Sequence, residues 1–201
     1  LTYYGALSHY GEDIPLACVG VISKVNILML GFTLGISQGC QPIFSYNYGA
    51  RQYSRVREAY RKAIVAASVI CCIAFVCFQL FPRPIVALFD PSGSEEYFQF
   101  AERYFRIYMF MTLANAFQPI TANFFTSIGK AKRGALIALT RQVIFLIPLI
   151  LIFPLFLGID GVMYAGPIAD SAAVVVALAL VTREMKRMPH VDEPVAADTL
   201  V

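Results

Sequence analysis

"GISQGCQPIFSYNYGARQYSRVREAYRK", residues Gly35 to Lys62, starts as an oily helix and ends as a basic, tyrosine-rich segment. A soluble helix interleaves polar and apolar residues around its axis. Here the two kinds are separated along the chain, as in a membrane-crossing helix that meets water at its end. The rest of the 201 residues fits that reading: 58% are hydrophobic and 14% charged, against about 25% charged in soluble domains. Mean hydropathy is +0.65. A polytopic membrane protein is implied, an all-α bundle with no soluble domain.

Crossing a hydrocarbon core of about 30 Å takes about 20 apolar residues in a helix. Such runs are expected at Ile14–Tyr46, Ala63–Phe81, Tyr104–Ile128, Ala135–Leu157 and Val162–Thr182, which makes five spans within a membrane domain of residues 14–188. By charge, His9, Glu12 and Asp13 before the first span are expected on the extracellular side, and 189–201 reads as a disordered cytoplasmic tail. The chain opens on Leu1 with no charged leader before the first span, so a fragment lacking an N-terminal portion is expected. Tryptophan is absent, which leaves the interfacial belt to residues such as Tyr46, Tyr48, Tyr53 and Tyr104.

Basic residues come after the first span (Arg51, Arg55, Arg57, Arg61, Lys62), the third (Lys130, Lys132, Arg133) and the fifth (Arg183, Lys186, Arg187). Short cytoplasmic loops are enriched in lysine and arginine, so these three segments and the C-terminus are expected in the cytoplasm. The prolines of "FPRPIVALFDPSGSEE" stop the helix on the opposite side, where "IVALF" is expected to rest at the interface. Cys18, Cys40, Cys71, Cys72 and Cys77 lack metal-ligand spacing and read as small hydrophobes. No nucleophile and base pair is visible, and enzymatic activity is not expected.

Gly31, Gly35 and Gly39 have the spacing that lets helices approach closely in lipid. Pro42 frees the carbonyl of Gln38, and at about 100° per residue Gln38, Gln41, Pro42 and Ser45 share one side. By the same step Thr112, Asn115, Pro119, Asn123 and Thr126 fall within an arc of about 80°, with Gln118 beside them. Polar groups facing lipid cost several kcal/mol, so these stripes line either a water-filled path or a hydrogen-bonded helix contact. Lys24, Arg141 and Asp170 are charges inside spans. By rise per residue, Arg141 lies about 12 Å and Asp170 about 18 Å from the basic ends of their helices, within bridging reach. The alternative is an arginine that snorkels to the headgroups. Pro148, Pro154 and Pro167 add further helix breaks. Broken helices bearing polar stripes suit transporters better than anchors.

"GISQGCQPIFSYNYGA" resembles the G-x-x-Q-G-x-Q-P-I-x-x-Y-N-Y-G-A segment of the multidrug and toxic compound extrusion (MATE) transporters, bacterial multidrug-pump branch. "TRQVIFLIPLILIFPLFLGIDGVMYAGPIAD" is similar to that family's R-Q-x-x-x-x-x-P, G-x-D-G-V and P-I-A-D stretches. The resemblance implies twelve helices in two lobes, of which these spans are helices eight to twelve and residues 1–13 the end of a preceding helix and an extracellular loop, in a multi-pass protein of the bacterial plasma membrane. It implies efflux of amphipathic, mostly cationic drugs in exchange for Na⁺ or H⁺ by alternating access. The partners would be those compounds, the lipid bilayer and an N-terminal lobe, with no cofactor beyond the coupling ion and no nucleic acid. Gln38, Gln41, Asn115, Gln118, Asn123, Arg141 and Asp170 are the expected pathway residues, with helix breaks at Pro42, Pro119, Pro148 and Pro167. In many members the coupling acid lies in the N-terminal lobe, and span three here carries no acid. A lipid-linked oligosaccharide flippase of the same superfamily and a non-transporting membrane scaffold are the alternatives.

Overall fold

The computed structural model describes residues 13–89, 91, 94–110, 112–157, 159–189 and 192. Expectations about residues 1–12 lie outside the described residues. Among those described the structure is helical throughout, with no strand. Helix α1 spans Asp13–Gly49, α2 Tyr53–Leu80, α3 Pro82–Phe89, α4 Glu95–Met109, α5 Thr112–Ser127 and α6 Ala131–Leu139. A π-helical segment, Thr140–Leu146, joins α6 to α7 (Ile147–Leu157), and α8 runs from Ile159 to Arg187.

Among the described residues four stretches are long and apolar enough to cross a membrane: Ala17–Gly49, Tyr53–Leu80, Ala131–Phe156 and Tyr164–Arg187. The expected crossing at 104–128 takes a different form. Helix α4 carries Glu95, Glu96, Glu102, Arg103 and Arg106, and apolar character takes over only from Ile107. The apolar stretch is shared between the end of α4 and α5, neither of which is long enough to cross alone. Ser94 starts α4 by accepting a hydrogen bond from the Tyr97 amide at 3.2 Å. Helix α3 packs on α4 through buried Val86 while Leu88 stays 81% exposed.

The core falls into two clusters. One gathers Ile22, Val25, Phe78, Val86, Phe105 and Met109 around the α3–α4 end. The other, toward the basic connections, is built on Phe44, Tyr60, Phe124 and Phe125, whose rings meet at centroid distances of 4.9–5.6 Å for the contacts of Phe124. Tyr60 donates to the Thr121 hydroxyl at 2.7 Å, since Thr121 gives its own proton to the Phe117 carbonyl. Without a hydrophobic drive between helices in lipid, close approach of small residues supplies the packing. Helix α8 does this: Ala165, Ala169, Ala173, Ala177 and Val181 recur at every fourth position and are all buried. The row Gly31, Gly35 and Gly39, expected to play that part, is open, with no atom within 4 Å of where a Cβ would stand. Helix α1 turns Thr33, Ser37 and Phe44 inward instead.

The turn from α5 to α6 needs Gly129 at φ 77°, a left-handed conformation that glycine adopts without penalty. Beyond it, Gly134 lets α6 lie directly on α5: a Cβ there would stand 2.6 Å from the Ala122 carbonyl oxygen and 2.7 Å from Thr126 Oγ1. Below that turn, fully buried Glu184 of α8 accepts from Lys130 and Arg133 together. At the start of the segment expected to be a disordered tail, Arg57 donates to the carbonyls of Met188 and Pro189 at 2.9 and 2.7 Å. Asp192 accepts from the Ser54 hydroxyl and, at 2.9 Å, from its amide. The carboxylate thus caps α2, whose own Gln52 supplies no side-chain cap.

These contacts make two predictions. Gly134→Ala should lower stability by about 1–3 kcal/mol, because backbone must move to admit the methyl. Thermal unfolding of the purified protein in detergent checks this, and an unchanged midpoint would refute the close approach. The Ser54 hydroxyl, and after it the Ser54 amide, holds the Asp192 carboxyl below the usual aspartate range. A folded value below the unfolded value of about 3.9 means the cap stabilises fully above that pH. The contribution fades as pH falls through the folded value, and protease cleavage near 192 should accelerate there. The Asp192→Asn variant should be cleaved quickly at every pH.

Candidate functional site

The site begins with a helix that changes its winding. Over Thr140–Leu146 the amide of Ile147 reaches back five residues to the Gln142 carbonyl, the π offset found often at functional sites. Pro148 lies just beyond, and its missing N–H removes the donor that would hold the normal register. On the preceding turn, the Gln118 side chain of α5 donates to the Ile137 carbonyl at 3.2 Å. The widened segment is thus supported from outside the helix.

Arg141 projects from the π segment, and its Nε donates to Asp170 Oδ1 of α8. Both side chains are largely buried, at 20% and 10% exposure. The two intramembrane charges therefore meet, and the snorkelling alternative does not hold. Asp170 stands on the turn after Pro167, whose carbonyl accepts from Ser171 Oγ at 2.8 Å. Gly166 leaves room for Tyr108: a Cβ there would lie 2.8 Å from its ring. Lys24 stays on the exposed surface.

A pocket of about 270 Å³ opens beside Arg141, walled by Leu34 of α1, Gln118, Pro119, Ala122 and Asn123 of α5, and Ala138 and Gln142 of the crossing Ala131–Phe156, the fourth when the stretch shared by α4 and α5 is counted as the third. Gln118, Asn123 and Arg141 are thereby brought together, and Asp170 joins them through the ion pair. Asn123 also has a second task. Its amide donates to Ser37 Oγ at 2.7 Å, and Ser37 donates to the Pro119 carbonyl at 3.2 Å. On that side the stripe is a helix contact, and on the other it faces the pocket. At its ends Thr112 donates to the Met109 carbonyl at the end of α4, and Thr126 to the Ala122 carbonyl of its own helix.

Gln38 and Gln41 stand apart from the pocket, on the face of α1 that includes the open glycines, exposed Pro42 and exposed Ser45. The Asn115 side chain lies outside the described residues. Sequence patterning does not single out Ser37, Gln142, Tyr108 or Glu184. Ser37 shares α1's inward face with Thr33, a signal hidden by the louder glutamines, and Glu184 sits among bases and reads as solvated. Among the described residues no group of acids, histidines and cysteines is placed to hold a metal ion.

Long apolar helices with an ion pair buried between two of them, and a pocket beside it, define a polytopic helical membrane protein. A family model described as MatE matches residues 4–152, and the chain belongs to that family. It is similar to the multidrug export protein MepA of Staphylococcus aureus, 23% identical over 175 residues, which cover 87% of this chain and 38% of that protein. MepA of Staphylococcus haemolyticus is 24% identical over the same share of each. The fold is that of a solved multidrug resistance MATE transporter of the MOP superfamily in its outward-facing conformation. That match has a TM-score of 0.86 at 18% identity, covering 94% of this chain and 43% of the other. The chain thus spans about two-fifths of the length of the relatives it matches.

Leaving either charge of the Arg141–Asp170 pair alone in a buried setting costs about 3–5 kcal/mol. The two losses are unequal: a stranded aspartate takes up a proton, while a stranded guanidinium keeps its charge. Asp170→Asn should therefore destabilise more than Arg141→Gln, and the double variant should recover part of the loss. Thermal unfolding of all three in detergent measures the coupling. Strictly additive effects would mean that the pair contributes nothing as a pair.

Proposed function

We propose that the chain is the C-terminal lobe of a bacterial multidrug efflux antiporter, exporting amphipathic, mostly cationic compounds in exchange for Na⁺ or H⁺. In this reading a second, N-terminal lobe covers the open face of α1, and the central cavity alternates in access between the lobes. The basic connections and the C-terminus are cytoplasmic, in line with the lysine and arginine bias. The observation that carries the proposal is the pocket of Gln118, Asn123 and Arg141, a groove that gathers polar groups between membrane-crossing helices. Intramembrane polar groups at a cavity are costly and mark a substrate path.

Two features refine it. Asp170 is occupied by Arg141, so the coupling carboxylate is assigned to the N-terminal lobe. The same pairing balances the charge of Arg141, which removes the main argument for a flippase of anionic lipid-linked sugars. Gln38 and Gln41, with Asn115, are assigned to the cavity wall that the second lobe completes.

Efflux of a fluorescent cationic dye from cells tests the reading. The intact transporter should export it, and the 201-residue chain alone should insert without exporting. Gln118→Ala in the intact protein should reduce efflux about fivefold, the equivalent of one hydrogen bond of about 1 kcal/mol. Export by the chain alone, or full activity of the variant, would overturn the proposal.

A further inference from the structure

A second hollow, of about 380 Å³, lies at the α3–α4 end of the bundle, bounded by Gln79, Arg106, Ile107, Phe110, Tyr164 and Pro167. Its walls are the ends of α2 and α4 and the start of α8. Helices α2 and α8 include two of the apolar crossings. Gln79, the penultimate residue of α2, donates to the Arg106 carbonyl at 3.1 Å. Arg106 therefore sits at the level where α2 leaves the membrane, and the charged part of α4 projects beyond it. Below that level the wall is apolar: Phe110 is 58% exposed although its ring is braced edge-on by Phe75 at 5.8 Å.

Arg106 itself is exposed and makes no side-chain ion pair among the described residues. Glu102, one turn earlier, is drawn toward Arg83 at 3.9 Å, and Arg83 also holds Glu95 at 2.5 Å. Arg106 thus stands at the rim of an apolar hollow bounded by α2, α4 and α8, two of which include membrane crossings. The material beside such a hollow is lipid, and the group that a rim guanidinium binds bidentately is a phosphate.

We propose that this hollow is a binding site for an anionic phospholipid of the leaflet opposite the basic connections, with the phosphate on Arg106 and an acyl chain laid along Ile107, Phe110 and Tyr164. The occupant bridges α2, α4 and α8 at the level of the bond from Gln79. A zwitterionic lipid offers the same chain and phosphate, but its ammonium group opposes the guanidinium, so preference for the anionic headgroup is the signature.

The test uses the intact transporter in detergent, titrated with phosphatidylglycerol and followed by native mass spectrometry and thermal unfolding. Phosphatidylglycerol should bind and raise the unfolding midpoint, phosphatidylcholine should do so weakly, and water-soluble glycerol phosphate not at all. Arg106→Gln should weaken phosphatidylglycerol binding about tenfold, as expected for one charge-assisted contact. Arg106→Lys should restore part of it, and Lys132→Gln on the opposite side should leave it unchanged. Equal binding of the two lipids, or an Arg106→Gln variant that binds phosphatidylglycerol like the parent, would overturn the proposal. Neither readout depends on transport.

Discussion

An arginine inside hydrocarbon cannot shed its charge, and the membrane offers it nothing to bond. Arg141 has therefore to be met by an acid on a neighbouring helix, and Asp170 does so. That one requirement fixes the rotation of α8 against the fourth crossing. With Asp170 turned toward Arg141, the alanines at 165, 169, 173 and 177 are buried beside it, and their lack of bulk lets the helices close up. The pocket then lies next to the pair, because Gln118 and Asn123 approach the fourth crossing from α5.

The basic side of the bundle is organised on the same principle with softer consequences. Glu184 is withdrawn from water and met by two cations at the start of α6, Lys130 and Arg133, while Asp192 satisfies an amide at the start of α2. In each case a carboxylate distant in sequence completes bonds that local residues leave open. These contacts tie the end of α8 to two turns that would otherwise be held only by their own short connections.

Much of this was legible in the sequence, because lipid imposes strong rules. Long apolar runs marked the crossings, and Arg141 and Asp170 stood out as charges within bridging reach, while a snorkelling arginine fitted the spacing as well. Other features depend on facts no spacing records. Gly31, Gly35 and Gly39 have the pattern of a packing seam, yet which face of α1 turns inward is decided by Thr33, Ser37 and Phe44. The alanine row of α8 is lost among valines and leucines of similar hydropathy. Charges in α4 run up to Arg106, so the apolar part of the third crossing starts only at Ile107, later than hydropathy alone suggests. Asn123 was visible as polar, but its split role between Ser37 and the pocket depends on a distance.

The π segment carries a consequence for comparing this chain with others. A turn closed by bonds to the fifth residue holds one residue more than an α-turn, and each added residue rotates the helix beyond it by about 100°. Residues 147–157 therefore present different faces from those an unbroken helix would give them. Counting residues along the fourth crossing from Arg141 will misassign which side chains face lipid and which face protein. Correspondence between relatives across this stretch has to be drawn by position in space, with the extra residue treated as an insertion absorbed within a single turn.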